Sequence, residues 1–342
     1  MATQESPPFW WLNPGWQAYL FSPVSWIYGE ISARRMELPP SDFVDVPVIC
    51  VGNFIAGGAG KTPTVLALVK AAKAMKLKPG ILSRGYGGGV AKATLVNLEK
   101  HDSRDVGDEP LLLAKAAKTV VSADRPAGAR MLVQSGCNLI IMDDGFQNPK
   151  LHKDYCLVVV DAKRGIGNGF THPSGPLRVP ITRQLPMADT VLVIGEGNGA
   201  DKVIRITAKC AKPIELASVR IRGKGRLKGK RLLAYAGIAD PQKFFSSLLS
   251  AGADVVDQRA FGDHHHYHDD EIRDLVERAE RQELQLASTA KDIYRLNGLG
   301  KLSQQLIEKT DKVEIELFFE NPDFARNIIE SAIDSADHRS HH

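Results

Sequence analysis

Residues 46–62 read VPVICVGNFIAGGAGKT, and few folds can accommodate such a stretch. Val46, Val48, Ile49 and Val51 form a β-branched apolar run that suits a buried strand. Pro47 is tolerable at the very start of that strand. The run breaks into Gly57, Gly58, Ala59 and Gly60, then Lys61 and Thr62. A helix-forming segment follows over residues 64–76, with Val65, Leu68, Val69 and Ala72 at helical spacing. Strand, glycine loop, Lys-Thr and helix together make a phosphate cradle, with Ile55–Thr62 as the nucleotide-binding candidates. Glycines let backbone N–H groups turn inward, and the helix N-terminus adds partial positive charge. Lys61 can reach outer phosphates, and the Thr62 hydroxyl can sit on Mg²⁺. Pro63 is harmless in the first helical turn. Ile55 stands where the usual spacing has a glycine.

At 342 residues the chain can bury a large core and hold two domains. The net charge of +4 is spread along the chain, so bulk charge gives no case for nucleic acid. Cys50, Cys137, Cys156 and Cys210 form no CxxC pair, which suits buried thiols in a reducing compartment. All the tryptophans, Trp10, Trp11, Trp16 and Trp26, lie within residues 1–36. No apolar run there approaches the ~20 residues needed to span a bilayer. No cation precedes Arg34, which argues against a secretory signal. Two readings of this arm stand level on composition. It lies in a membrane interface with Arg34 and Arg35 at its polar end, or it packs on its own domain.

From residue 46 to about 212, apolar runs alternate with helical patterns. That predicts a mostly parallel sheet covered by helices, with ligands at the carboxyl ends of its strands. The expected class is α/β, a P-loop NTPase-like sheet with a second, smaller α/β domain. The expected division is 1–36 for the arm, 37–215 for the P-loop domain and 216–342 for the second domain. Residues 220–231, RIRGKGRLKGKR, carry a cation at each even position to 230, which reads as one face of an extended ribbon. That face meets either an anionic membrane or only solvent. The tail from residue 335 reads as frayed.

Asp143 and Asp144 end an apolar strand, where a carboxylate partner for phosphate-bound Mg²⁺ is expected. A kinase also requires a carboxylate for the acceptor hydroxyl, and Asp108 at a helix start is the candidate. Capping alone also explains an acid there. The 263–270 run, DHHHYHDD, admits metal binding, a His that orients a catalytic Asp, or a solvated loop. The last is favoured for His265, His266 and His268 taken singly.

Taken together, VGNFIAGGAGKTP (51–63), SRGYGGG (83–89), VGDEP (106–110), SADR (122–125), DDGFQN (143–148), GNG (167–169), GPLR (175–178), LKGKRLLAYAGIADPQKFF (227–245), FGDHH (261–265) and TAKD (289–292) resemble the tetraacyldisaccharide 4′-kinase family of lipid A biosynthesis. The resemblance begins at the N-terminal WWLNP and runs through most of the chain. It implies phosphoryl transfer from ATP, with Mg²⁺, to the 4′-hydroxyl of an acylated glucosamine disaccharide 1-phosphate. It also implies a peripheral or monotopic enzyme at the cytoplasmic face of the inner membrane. By the same resemblance Asp108 is the catalytic base and His264 its partner. Lys61 binds phosphates, and Thr62, Asp143 and Asp144 serve the metal. Arg84, Tyr86, Glu109 and Arg125 line the cleft. Closure of the second domain is expected to bring His264 to Asp108. In the last motif Ala290 replaces the family's usual Glu. The resemblance also accounts for Ile55, because the family loop has the GGxGKTP form.

A multi-acyl substrate favours the interfacial reading of the arm, since each buried CH₂ is worth about 0.8 kcal/mol. The competing class is a nucleotide switch, either a partitioning ATPase or a metal-insertion GTPase. Those ATPases carry a lysine where Ala56 stands. Those GTPases carry an Asn/Thr-Lys-x-Asp loop, and Lys291 and Asp292 are one residue too close for it.

Overall fold

The apolar run before the glycine loop becomes the central strand of a parallel sheet. A computed structural model describes residues 6–85, 88–89, 92–238, 240–263 and 265–340. After a 3₁₀ turn at Pro8–Trp11 come α1 (Trp16–Met36), β1 (Val48–Asn53), α2 (Lys61–Ala74), β2 (Pro79–Ser83) and β3 (Thr94–Leu95). Next are α3 (Ser103–Val106), α4 (Asp108–Ala114), β4 (Lys118–Val121), α5 (Arg125–Gln134), β5 (Leu139–Asp143) and β6 (Tyr155–Asp161). Then α6 (Ile181–Gln184), β7 (Thr190–Ile194), α7 (Asp201–Lys209) and β8 (Ile214–Ile221) complete the first run. The second unit holds β9 (Arg231–Ala236), α8 (Pro241–Ser250), β10 (Asp254–Ala260) and α9 (Asp269–Arg281). It continues through β11 (Gln285–Thr289), α10 (Ala290–Leu296), α11 (Lys301–Lys309) and β12 (Thr310–Val313). The chain ends with β13 (Ile315–Phe319) and α12 (Phe324–Ser340).

Among the described residues the large sheet has the order β13-β8-β7-β6-β1-β5-β2-β4-β3. Its inner pairings are all parallel, and only β13 and β3 run against their neighbours. Every residue of β1 is buried, as a strand covered on both faces requires. The chain first builds to one side of β1 and then returns to the other, so the switch in strand order falls at the glycine loop. The smaller sheet, β10-β9-β11-β12, is parallel throughout.

The division expected at residue 216 does not match the strand pairing. β8 belongs to the large sheet, and β13 returns from the second unit to pair antiparallel with it, Ile315 opposite Ile221. α12 follows, and Phe324, Ile328, Ile329 and Ala332 join Leu68 and Val69 of α2 in the main core. The reason is burial: β13 covers the outer edge of β8, and α12 covers α2. The tail expected to fray is therefore helix through residue 340. Nor is 220–231 one ribbon. β8 ends at Ile221 and a 3₁₀ turn occupies Lys224–Arg226. Arg222 lies 3.6 Å from Glu314, and Lys230 lies 2.8 Å from Asp311.

α1 is arranged inside out. The side that meets the body carries small residues, with Ala18, Ser25, Gly29 and Ala33 buried. The Ser25 hydroxyl donates to Ser174 Oγ at 2.7 Å, and the Thr171 hydroxyl donates to Ser25 O at 2.8 Å. Trp16, Tyr19, Leu20, Val24, Trp26, Ile27 and Ile31 stay exposed. The packing reading of the arm holds for its inner face, and an apolar face is left outward. No helix among the described residues is long and apolar enough to cross a membrane.

Gly52 in β1 shows how tightly the loop's footing is packed. A Cβ there would lie 2.3 Å from Phe146 Cβ, and Phe146 follows the Asp143-Asp144-Gly145 turn. Gly52→Ala is expected to cost about 1–3 kcal/mol through overpacking. Urea unfolding should show a lower midpoint with an unchanged slope, and an unchanged midpoint would refute the close packing.

Candidate active site

The glycine loop connects β1 to α2, with Gly60 at φ +92 immediately before the helix. A side chain at Gly60 would also strike Ile194, whose Cδ1 would be 2.7 Å from its Cβ. Lys61 Nζ donates to Gly57 O at 3.2 Å, and Asn53 Nδ2 donates to the same oxygen at 2.8 Å. Two of the expected phosphate contacts pack on residues 176–177. Ile55 is buried and bridges antiparallel to Leu177, and the Ala56 N–H donates to Pro176 O at 2.8 Å. The bonds flanking that bridge, Ala56 N–H to Pro176 O and Arg178 N–H to Phe54 O, tether the loop to 176–178, so the Ala56 N–H is already used. Ala59 is buried in the main core, leaving only its backbone for a ligand. Gly57, Gly58, Gly60, Lys61 and Thr62 keep groups that a phosphate could meet.

β5 pairs with β1 so that Asp143 lies opposite Val51, at the foot of the loop. Asp143 is 2% exposed, and its Oδ1 has no hydrogen-bond partner. Burial, helped by Glu109, pushes its carboxyl up to about 7, against the pull of Lys61. Asp144 sits in the left-handed region at φ 53. Burial pushes its carboxyl up, but Lys61 and Arg178 outweigh that and bring it to about 2. Arg178 grips both oxygens, Nη1 to Oδ1 at 2.9 Å and Nη2 to Oδ2 at 3.1 Å, and Lys61 lies 3.8 Å away.

A divalent cation bound to phosphate requires few protein ligands. Asp143 Oδ1 and Asn53 Oδ1, on adjacent strands, are buried acceptors without partners. With the largely buried Thr62 hydroxyl they fit a hydrated Mg²⁺. Asp144 is already held by two cations and suits a supporting place better. Among the described residues no group of three His, Cys, Asp or Glu side chains is placed to hold a metal.

The expected cleft residues separate. Arg125 does not line an open cleft. It is 2% exposed and donates to Ser122 O at 3.3 Å, Asp143 O at 3.3 Å and Asp144 O at 3.2 Å. It clamps the acid turn from beneath. Arg84 follows β2, at the carboxyl edge of the sheet. Tyr86 and His264 lie outside the described residues. Asp108 and Glu109 open α4, which packs against α10 of the second unit. Lys291 bonds Glu109 at 2.5 Å, and Arg295 bonds Asp108 at 2.5 Å. Lys291 holds the Glu109 carboxyl below its usual value, although burial opposes this.

Arg178, Lys291 and Arg295 were not singled out from the sequence as site residues. Arg178 closes the quoted GPLR motif and Lys291 lies within TAKD, so both had a faint signal. Arg295 had only its place one turn after Asp292. The TAKD stretch is the start of α10, capped by the Thr289 side chain. His265 is not a solvated loop residue. It stacks on Phe261 at 4.8 Å, and its Nε2 lies 2.8 Å from Glu271 Oε2.

A phosphate loop at the sheet's switch point, with a buried acid beside it, defines a P-loop nucleotide-binding protein. The family profile described as LpxK, tetraacyldisaccharide-1-P 4′-kinase, matches residues 17–333. The chain is 50% identical over 329 residues to the tetraacyldisaccharide 4′-kinase of Agrobacterium fabrum, covering 96% of this chain and 94% of that one. It is 48% identical to the enzyme of the same name from Rhizobium rhizogenes, over 98% of this chain and 94% of that one. The crystal structure of "apo" form LpxK from Aquifex aeolicus in complex with ATP superposes with a TM-score of 0.71 at 24% identity. That match covers 92% of this chain and 99% of the other, and it shows the fold. The chain belongs to the tetraacyldisaccharide 4′-kinase family and is a phosphotransferase.

Asp143 gives a stability signature. Its folded value lies above the ordinary 3.8, so the folded state holds the proton more tightly than the unfolded chain. The metal-free and nucleotide-free protein should therefore lose stability as pH rises from about 4 to about 7, by a few kcal/mol at most. Asp143→Asn should raise the melting temperature of that form at pH 8 and raise it less at pH 5. An equal shift at both pH values would contradict the burial of a strained carboxylate.

Proposed function

We propose that this kinase transfers the γ-phosphoryl group of ATP to the 4′-hydroxyl of an acylated glucosamine disaccharide 1-phosphate, working at the cytoplasmic face of the inner membrane. Asp108 carries the reading. It is an acid 4% exposed, at the seam between the phosphate-loop domain and the second unit, where an acceptor hydroxyl and ATP would meet.

Gly57, Gly58, Gly60 and the first turn of α2 would take the β- and γ-phosphates on backbone N–H groups. Lys61, now on Gly57 O and near Asp144, would find stronger partners in the phosphate oxygens. Mg²⁺ held by Asp143 and Thr62 would neutralise phosphate charge. Arg178 and Arg125 hold the acid turn still. Asp108 accepts the 4′-hydroxyl proton as that oxygen bonds to the γ-phosphorus and ADP leaves. The transition state is loose, so a well-placed carboxylate is sufficient. By resemblance His264 would partner Asp108.

A nucleotide switch is less consistent with the second unit. Asp292, the residue a base-reading loop would present to guanine, is fully buried and accepts from the Gly237 N–H at 2.9 Å and the Tyr267 hydroxyl at 2.8 Å. The outward face of α1, with Trp16 at 71% and Trp26 at 73% exposure, suits an acyl–headgroup boundary.

Asp108→Asn is expected to lower kcat by about 10²–10⁴-fold while ATP KM stays within about twofold. Steady-state transfer assays check this, and a near-normal kcat removes Asp108 as the base. Trp16→Ser with Trp26→Ser should weaken binding to phospholipid vesicles about tenfold or more without moving the melting temperature. Unchanged vesicle flotation would remove the interfacial role of α1.

A further inference from the structure

The second unit reaches Asp108 through Arg295. Arg295 Nε donates to Asp108 Oδ2 at 3.0 Å, and Nη2 donates to the same oxygen at 2.5 Å. Both side chains are buried, at 5% and 4% exposure. Arg295 Nη1 turns the other way, donating to Asp292 Oδ1 at 3.2 Å and to Gly237 O. Asp292 is in turn fixed by the Gly237 N–H, the Tyr267 hydroxyl and the Thr289 hydroxyl, the last at 2.6 Å. Three loops of the second unit therefore converge on one guanidinium: the turn after β9, the histidine-bearing loop and the start of α10. A surface ion pair would contribute little, but one buried and braced on this many sides fixes geometry.

We propose that Arg295 is a positioning residue for phosphoryl transfer: by occupying Asp108 Oδ2 with two donors, it fixes the carboxylate's rotamer toward the acceptor hydroxyl. This rests on the reading of Asp108 as the base. A planar fork with two donors holds this orientation, and a lysine would supply only a point charge. Asp292 makes no claim on substrate. It keeps Arg295 from swinging away.

The test is a double-mutant cycle on the full-length enzyme, with kcat and KM measured for ATP and for the lipid acceptor in mixed micelles. Arg295→Met should lower kcat about 10–100-fold with ATP KM within about twofold, as a misplaced reacting group does. Arg295→Lys should recover roughly tenfold of that loss at saturating substrate. Asp108→Asn with Arg295→Met should be no slower than Asp108→Asn alone, because both changes disable the same group. Should Arg295→Met fail to fold, as judged by circular dichroism melting, Arg295→Gln carries the same comparison. Losses that multiply in the double variant, an unchanged kcat in Arg295→Met, or no recovery with Lys would each overturn the proposal. If Asp108→Asn alone keeps near-normal kcat, the base reading itself fails, a different and separately visible result.

Discussion

The pairing of β5 with β1 is the constraint from which the site follows. It sets Asp143 at the foot of the glycine loop, buries the carboxylate and leaves one oxygen without a partner. A full charge there is unfavourable, because burial pushes the carboxyl up to about 7. The surroundings tolerate this by dividing the work between two acids. Asp144 takes Arg178 and Lys61, and among the described residues Asp143 Oδ1 meets no hydrogen-bond partner. Arg125 ties the backbone of both from below. Under the proposed function, a cation bound with phosphate would relieve strain of this kind.

The same logic extends outward. Gln147 donates to Asn53 O at 2.7 Å and to Gln184 Oε1 at 2.9 Å, and Gln184 donates to Phe54 O at 3.1 Å. This web ties together the acid turn, the loop and the GPLR segment. The second unit is joined to that body by ion pairs on two sides. Lys243 meets Asp161 at 2.7 Å on one, and Lys291 and Arg295 meet Glu109 and Asp108 on the other. Asp108 and Glu109 are therefore held by both units together.

Much of this was legible in the residues. The strand, glycine loop and helix, the acids ending β5 and the α/β alternation follow from local patterns of period and composition. What was not legible depends on distant contacts. Arg178 meets Asp144 across 34 residues, and Arg295 meets Asp108 across 187. Nothing near either residue marks its partner. β13 reads as an ordinary strand, and only the bare edge of β8 decides which sheet it joins. Ile55 and Ala56 fit a phosphate loop by position, yet their tether at 176–177 exists only once the chain has folded back. α1 was ambiguous because its small residues and its aromatics serve opposite faces, a division that composition cannot show.

The central claim is a covalent outcome: phosphorus moves from ATP to a lipid-borne sugar hydroxyl. It is tested most directly by incubating the enzyme with Mg²⁺, γ-labelled ATP and the acylated disaccharide 1-phosphate in mixed micelles, then recording ³¹P spectra of the extracted lipid. The account predicts a second phosphomonoester on the lipid, at C4′, appearing in step with ADP. ADP accompanied by labelled inorganic phosphate, with the lipid still bearing a single phosphate, would contradict it.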